Sequence, residues 1–114
     1  MIKISGPLFF AAAERVFDEL LVKCRDQRGV ILYMDGVPIL DAGGLQAFAQ
    51  FTARAARMGT EIIVADVQFQ PLRTFARAGI EPRDGELAFS PTLAAALESL
   101  LERERGVADG ATPT

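Results

Sequence analysis

The sequence predicts an α/β protein in which a mixed, mainly parallel sheet of four to five strands is covered by about four helices. Three observations predict it. Runs such as "VILYM" and "EIIVADV" are apolar without polar alternation, as in strands covered on both faces. Segments with apolar residues at helical spacing stand between such runs. The two kinds of segment alternate along the chain, which calls for right-handed crossovers and helices packed on a parallel sheet.

"MIKIS" alternates Ile2 and Ile4 with Lys3 and Ser5, and "LFF" follows the punctuation of Gly6 and Pro7. The two read as a first strand that continues or pairs around a turn. The first helix carries Ala13, Phe17, Leu20, Leu21 and Cys24 on one face, with Gly29 as its expected stop. After "VILYM", a second helix turns Leu45, Phe48, Ala49, Thr52, Ala55 and Ala56 inward and ends at Gly59. After "EIIVADV", Pro71 suits the first turn of a third helix, which presents Leu72, Phe75 and Ala76 inward and closes in Schellman fashion at Gly79 and Ile80. "ELAF" is the last strand. Ser90 and Pro91 read as the N-cap and first position of a fourth helix, with Leu93, Ala96, Leu97, Leu100 and Leu101 on its inner face. Residues 1–104 form a single domain on this reading, and 105–114, rich in Gly, Ala, Thr and Pro, form a flexible tail.

A chain of 114 residues, half of them hydrophobic, has room for one core and needs no staple. Its single cysteine, Cys24, sits among apolar helix residues and reads as buried, reduced and inert, in keeping with a cytosolic setting. Fifteen acidic against twelve basic side chains give a net charge of −3, which argues against a nucleic-acid partner. No apolar run reaches the roughly 18 residues of a membrane span, and no signal peptide opens the chain, so it reads as soluble. Histidine is absent, which removes the commonest general base and the commonest zinc ligand. Neither an enzyme nor a cofactor or metal site is expected.

The first candidate site is the turn "PILDAGGL", at the carboxyl edge of the strands where sites in such sheets lie. Asp41 can cap the second helix and suits the positive end of its dipole. Gly43 and Gly44 permit close approach of another backbone, or offer N–H groups to an anion. The neighbouring carboxylate opposes a phosphate, and the spacing is neither a "GxxxxGK" loop nor a "GxGxxG" fingerprint. Asp35, Asp41 and Asp66 are expected near one sheet edge, where capping and turn formation explain them more cheaply than catalysis. Arg54, Arg57, Arg73, Arg77 and Arg83 cluster on or beside the second and third helices. They form either a solvated surface or a docking patch for an acidic partner.

Three stretches carry a family resemblance. "VPILDAGGLQAF" is similar to the Asp-x-x-Gly-Leu signature turn of STAS domains, the fold shared by anti-sigma factor antagonists and the cytoplasmic part of SulP anion transporters. "ISGPLFFAAAERV" resembles the SulP branch, and with "VQFQPLRTFARAGIEP" the chain looks most like the DauA (YchM) type, which transports four-carbon dicarboxylates. The resemblance covers residues 1 to about 102. It implies a non-catalytic regulatory domain on the cytoplasmic side of the bacterial inner membrane. The implied partners are its own transmembrane domain and an acidic cytosolic protein such as acyl carrier protein. Antagonists carry a phosphorylated serine at the second position after the aspartate; here that position is Gly43, so the switch cannot operate at this turn. The expected contact surface is Asp41, Ala42, Gly43, Gly44 and Leu45 with Arg54, Arg57, Arg73 and Arg77. The rival readings are a free-standing antagonist that binds a protein partner, and a small-molecule or nucleotide binder using the strand ends.

Overall fold

The computed structural model describes the backbone of residues 1–110 and the side chains of residues 1–102. Elements alternate strictly: β1 (Ile2–Ser5), α1 (Phe10–Lys23), β2 (Gly29–Gly36), α2 (Ala42–Arg57), β3 (Glu61–Ala65), α3 (Phe69–Arg77), β4 (Leu87–Ser90) and α4 (Leu93–Gly110). The tail expected from Arg105 onward falls partly on the last turns of α4 and partly outside the described residues.

The strands lie in the order β1-β2-β3-β4, and every pairing between them is parallel. The continuation or pairing of the first strand expected at "LFF" does not form. Leu8 makes only an isolated parallel bridge to Leu40, and Phe9 and Phe10 cap and open α1. Right-handed crossovers that all step in one direction leave their helices on one side of a sheet. Accordingly α1, α2 and α3 share the larger core with Ile4, Leu32, Ile62 and Val64, while α4 covers the other face. There Leu93, Ala96 and Leu100 pack on Ile31, Ile63, Ala65 and Ala88. β3, buried at all five positions, is the strand covered on both sides.

Several local expectations are corrected. α1 ends at Lys23, and its connection turns through Asp26 at φ 61°, whereas Gly29 opens β2 beneath the Leu100 side chain. α2 is rotated from its expected stripe: Gly44, Ala47, Phe48, Phe51 and Ala55 are buried, because α1 packs along one flank of this alanine-rich helix. Ser90 belongs to β4, where its carbonyl accepts from the Asp66 N–H, and Thr92 caps α4 through the Ala95 N–H at 3.1 Å. Leu72, Leu97 and Leu101 lie outside rather than in the core. Gly59 and Gly79, both at positive φ, close α2 and α3 by Schellman bonding: Thr60 N–H reaches the Ala55 carbonyl and Ile80 N–H that of Phe75. Cys24 is fully buried, and that burial pushes its thiol pKa up, which disfavours the reactive thiolate.

Candidate functional site

Beyond β2, Val37 and Leu40 bury their side chains and hold the chain extended along Leu8. The Leu8 N–H donates to the Ile39 carbonyl at 3.0 Å, and the Asp41 N–H donates to the Leu8 carbonyl at 3.4 Å. Asp41, itself extended, is the N-cap of α2: its carboxylate accepts from the Gly44 N–H at 2.7 Å. The Leu45 N–H donates to the Asp41 carbonyl, the first turn of the helix. A Cβ on Gly44 would stand 2.3 Å from the Leu8 carbonyl oxygen, and one on Gly43 would stand 2.6 Å from the Phe10 ring. Both glycines therefore receive protein, and the Gly44 N–H that an anion would need is taken by Asp41. Ala42 alone of the five turn residues is exposed.

The other side of the turn is held by α3. The Leu40 N–H donates to the Gln70 side-chain carbonyl at 2.8 Å, and the Gln70 amide returns a hydrogen bond to the Leu40 carbonyl at 3.2 Å. Thr74 also reaches that carbonyl, and the Gln68 amide donates to the Asp35 carbonyl. One side-chain amide thus satisfies both backbone groups of Leu40, as a neighbouring strand would. These glutamines were missed as site residues, although the two amides at the head of a helix in "QFQP" are the signal. Gln70→Ala is expected to cost about 1–2 kcal/mol, from two lost hydrogen bonds at a part-buried site. The readout is hydrogen exchange: the Leu40 amide should exchange faster than in the native protein, and unchanged protection there counts against the clamp.

The four arginines divide. Arg73 and Arg77 share a surface hollow on α3 with Phe69, Gln70 and Thr74, and the Arg73 guanidinium lies 5.5 Å from the Phe69 ring centroid. Gln70 joins this hollow to the turn. Arg54 lies in the groove between α1 and α2, 3.5 Å from Asp18, an exposed pair of small energetic weight. Arg57 sits in the last turn of α2, where it suits the helix dipole. A helix of 16 residues is about 24 Å long, so Arg54 and Arg57 stand toward the end away from Asp41.

With this geometry in hand, comparison with known proteins decides the family. The family profile described as "STAS domain" matches residues 1–96. The chain belongs to the STAS family. A similar solved structure is the crystal structure of a sulfate transporter family protein from Wolinella succinogenes, at 26% identity and a TM-score of 0.70. The match covers 89% of this chain and 85% of that one. No match is found among curated proteins. The matches indicate no enzyme family.

Asp35, Asp41 and Asp66 of this STAS domain do not converge on one cleft. Asp41 is engaged as the cap, while Asp35 and Asp66 stand beside Tyr33 on the sheet face that carries α4. A hydrogen bond to Asp35 is the main cause that pushes the Tyr33 phenol pKa up, with desolvation and the charges of Asp35 and Asp66 adding to it. Lys3 lies 3.9 Å from Asp35 and over the Tyr33 ring, which completes a surface cluster at the start of the sheet. Among the described residues, no helix is long and apolar enough to cross a membrane.

Proposed function

We propose that this STAS domain is the cytoplasmic regulatory domain of a SulP-type anion transporter and acts by protein contact, without chemistry of its own. The observation that carries the reading is the signature turn. Where antagonists hold a phosphorylatable serine, Gly43 packs against Phe10, so no hydroxyl stands at the switch position. The likeness to a sulfate transporter family protein supports the same branch. Dicarboxylates are the substrate class we infer, from the resemblance of "VPILDAGGLQAF" and "VQFQPLRTFARAGIEP" to the DauA type. Those two stretches supply both sides of the clamped turn.

The contact surface in this reading is the turn of residues 41–45 with Arg73 and Arg77, which Gln70 joins to it, while Arg54 and Arg57, toward the far end of α2, form a separate basic contact. Its partners are the transporter's own membrane domain and an acidic cytosolic protein, acyl carrier protein being one of suitable charge. A partner that binds one arrangement of domain and transporter better than another shifts transport by that difference in affinity and no more. A coupling of about 1–3 kcal/mol corresponds to a change of roughly 5–150-fold. Uptake of labelled dicarboxylate by cells carrying the full-length transporter, with and without this domain, is the test. Uptake or its regulation should change on deletion; behaviour identical to the intact transporter sinks the proposal.

A further inference from the structure

The carboxyl ends of α1 and α2 meet at the edge where β2 and β3 begin. Thr60 ties them together: its hydroxyl reaches the Cys24 carbonyl at 3.0 Å and the Gln27 carbonyl at 2.6 Å, while the Glu61 N–H donates to the Arg28 carbonyl at 2.9 Å. In a chain of net charge −3, segments 21–28 and 54–60 hold five of the twelve basic residues, Lys23, Arg25, Arg28, Arg54 and Arg57, and one of the fifteen acidic ones, Asp26. All six are exposed. Arg54 is paired with Asp18, but no acid stands within ion-pair distance of Lys23, Arg25 or Arg57 among the described residues.

Helix C-termini attract cations, which accounts for Lys23 and Arg57 in the last turns. It does not account for the apolar side chains left outside among them. Val22 is 60% exposed and Met58 42% exposed, and they line one surface hollow with Leu21, Arg25 and Arg54. We propose that this end of the domain docks on an anionic lipid surface, its cations against the headgroups and Val22 and Met58 turned toward the acyl boundary. Long basic side chains suit that placement, since their stems cover apolar neighbours while their charges reach outward. The rest of the chain carries an excess of acid, which the same surface repels, so the charge distribution selects one orientation. The inference rests on the reading that the domain belongs to a membrane transporter, which keeps it beside the anionic cytoplasmic leaflet. It gives the separate basic contact of Arg54 and Arg57 to lipid and leaves Arg73 and Arg77 to protein.

Co-sedimentation of the chain with vesicles is the test, with phosphatidylcholine alone or mixed with phosphatidylglycerol. The chain should sediment with the mixed vesicles only, and added salt should release it. Arg25→Glu with Arg57→Glu should lower its partition onto them about tenfold or more. Both positions are exposed, and circular dichroism checks that the variant folds. Arg73→Glu with Arg77→Glu makes the same change of charge on α3 and should bind as the native chain does, which separates this end from net charge alone. Val22→Ser with Met58→Ser should also weaken binding. A native chain that ignores the anionic vesicles, or sediments equally with neutral ones, overturns the proposal. So does unchanged binding in either variant of this end, or an equal loss in the α3 variant. A chain that ignores vesicles but holds an acidic protein through Arg25 and Arg57 assigns this end to that protein instead. The regulatory reading fails separately: deleting the domain from the transporter can leave uptake unchanged whether or not its basic end binds lipid.

Discussion

Phe48→Ala is expected to lose about 3–5 kcal/mol of stability, the range for truncating a buried phenylalanine. Phe48 is fully buried at the middle of α2, and its ring lies 5.9 Å from Phe17 on α1 and 4.7 Å from Phe75 on α3. Phe17 continues to Phe51 at 5.2 Å, and Phe75 continues to Phe89 on β4 at 5.7 Å. Removing the central ring therefore breaks the aromatic contact chain that ties α1, α2 and α3 to the sheet. Relaxation cannot close the cavity cheaply, because the facing rings are themselves held by other partners. A domain of this size has about 5–15 kcal/mol in all, so the variant stands near the limit of folding. The melting temperature should fall by about 12 °C or more. In urea the midpoint should drop with an unchanged slope; a loss below about 1 kcal/mol would mean that the rings repack and that the cluster is not the keystone of the helical layer.

The alternation of strands and helices was legible because β2 and β3 are apolar runs whose burial follows from composition alone. Helix faces were less so. In α2 alanines and apolar side chains cover more than one face, and only the position of α1 selects Ala47 and Phe51 over Leu45 and Thr52. In α4 the five apolar positions form a stripe wider than the sheet can cover, so Leu97 and Leu101 remain outside. Ser90 reads as the cap from the sequence, but the sheet takes Ser90 and Thr92 caps α4 instead. At the site, the Asp41 cap is local and was read from the sequence. The partners that explain the glycines and hold Leu40 are remote: Leu8 and Phe10 precede the turn, and Gln70 lies 30 residues after Leu40. No spacing rule within "PILDAGGL" reveals them.

Gly44→Ala is the sharpest test of that remote contact, because its sign is in question. In an ordinary helix interior, alanine in place of glycine stabilises by about 0.5–1 kcal/mol. Gly44 has no such freedom, since its added Cβ would meet the Leu8 carbonyl oxygen at 2.3 Å and the Leu40 side chain at 2.8 Å. Backbone cannot rotate aside as a side-chain tip can. Either Leu8 moves, breaking its hydrogen bonds with Ile39 and Asp41, or the first turn of α2 moves and the Asp41 cap is lost. A net loss of about 3 kcal/mol is expected, at the upper end for overpacking. Gly43→Ala should cost less, about 1–2 kcal/mol, because its Cβ meets the Phe10 ring, Cβ and Cα at 2.6, 2.8 and 3.0 Å, and Phe10, the exposed first residue of α1, can shift where the buried Leu8 cannot. Urea unfolding of the two variants gives the comparison, and faster hydrogen exchange at Leu8 and Asp41 in Gly44→Ala locates the damage. A Gly44→Ala protein as stable as the native one would mean that Leu8 does not press on this turn. The glycine pair would then again need a ligand to explain it.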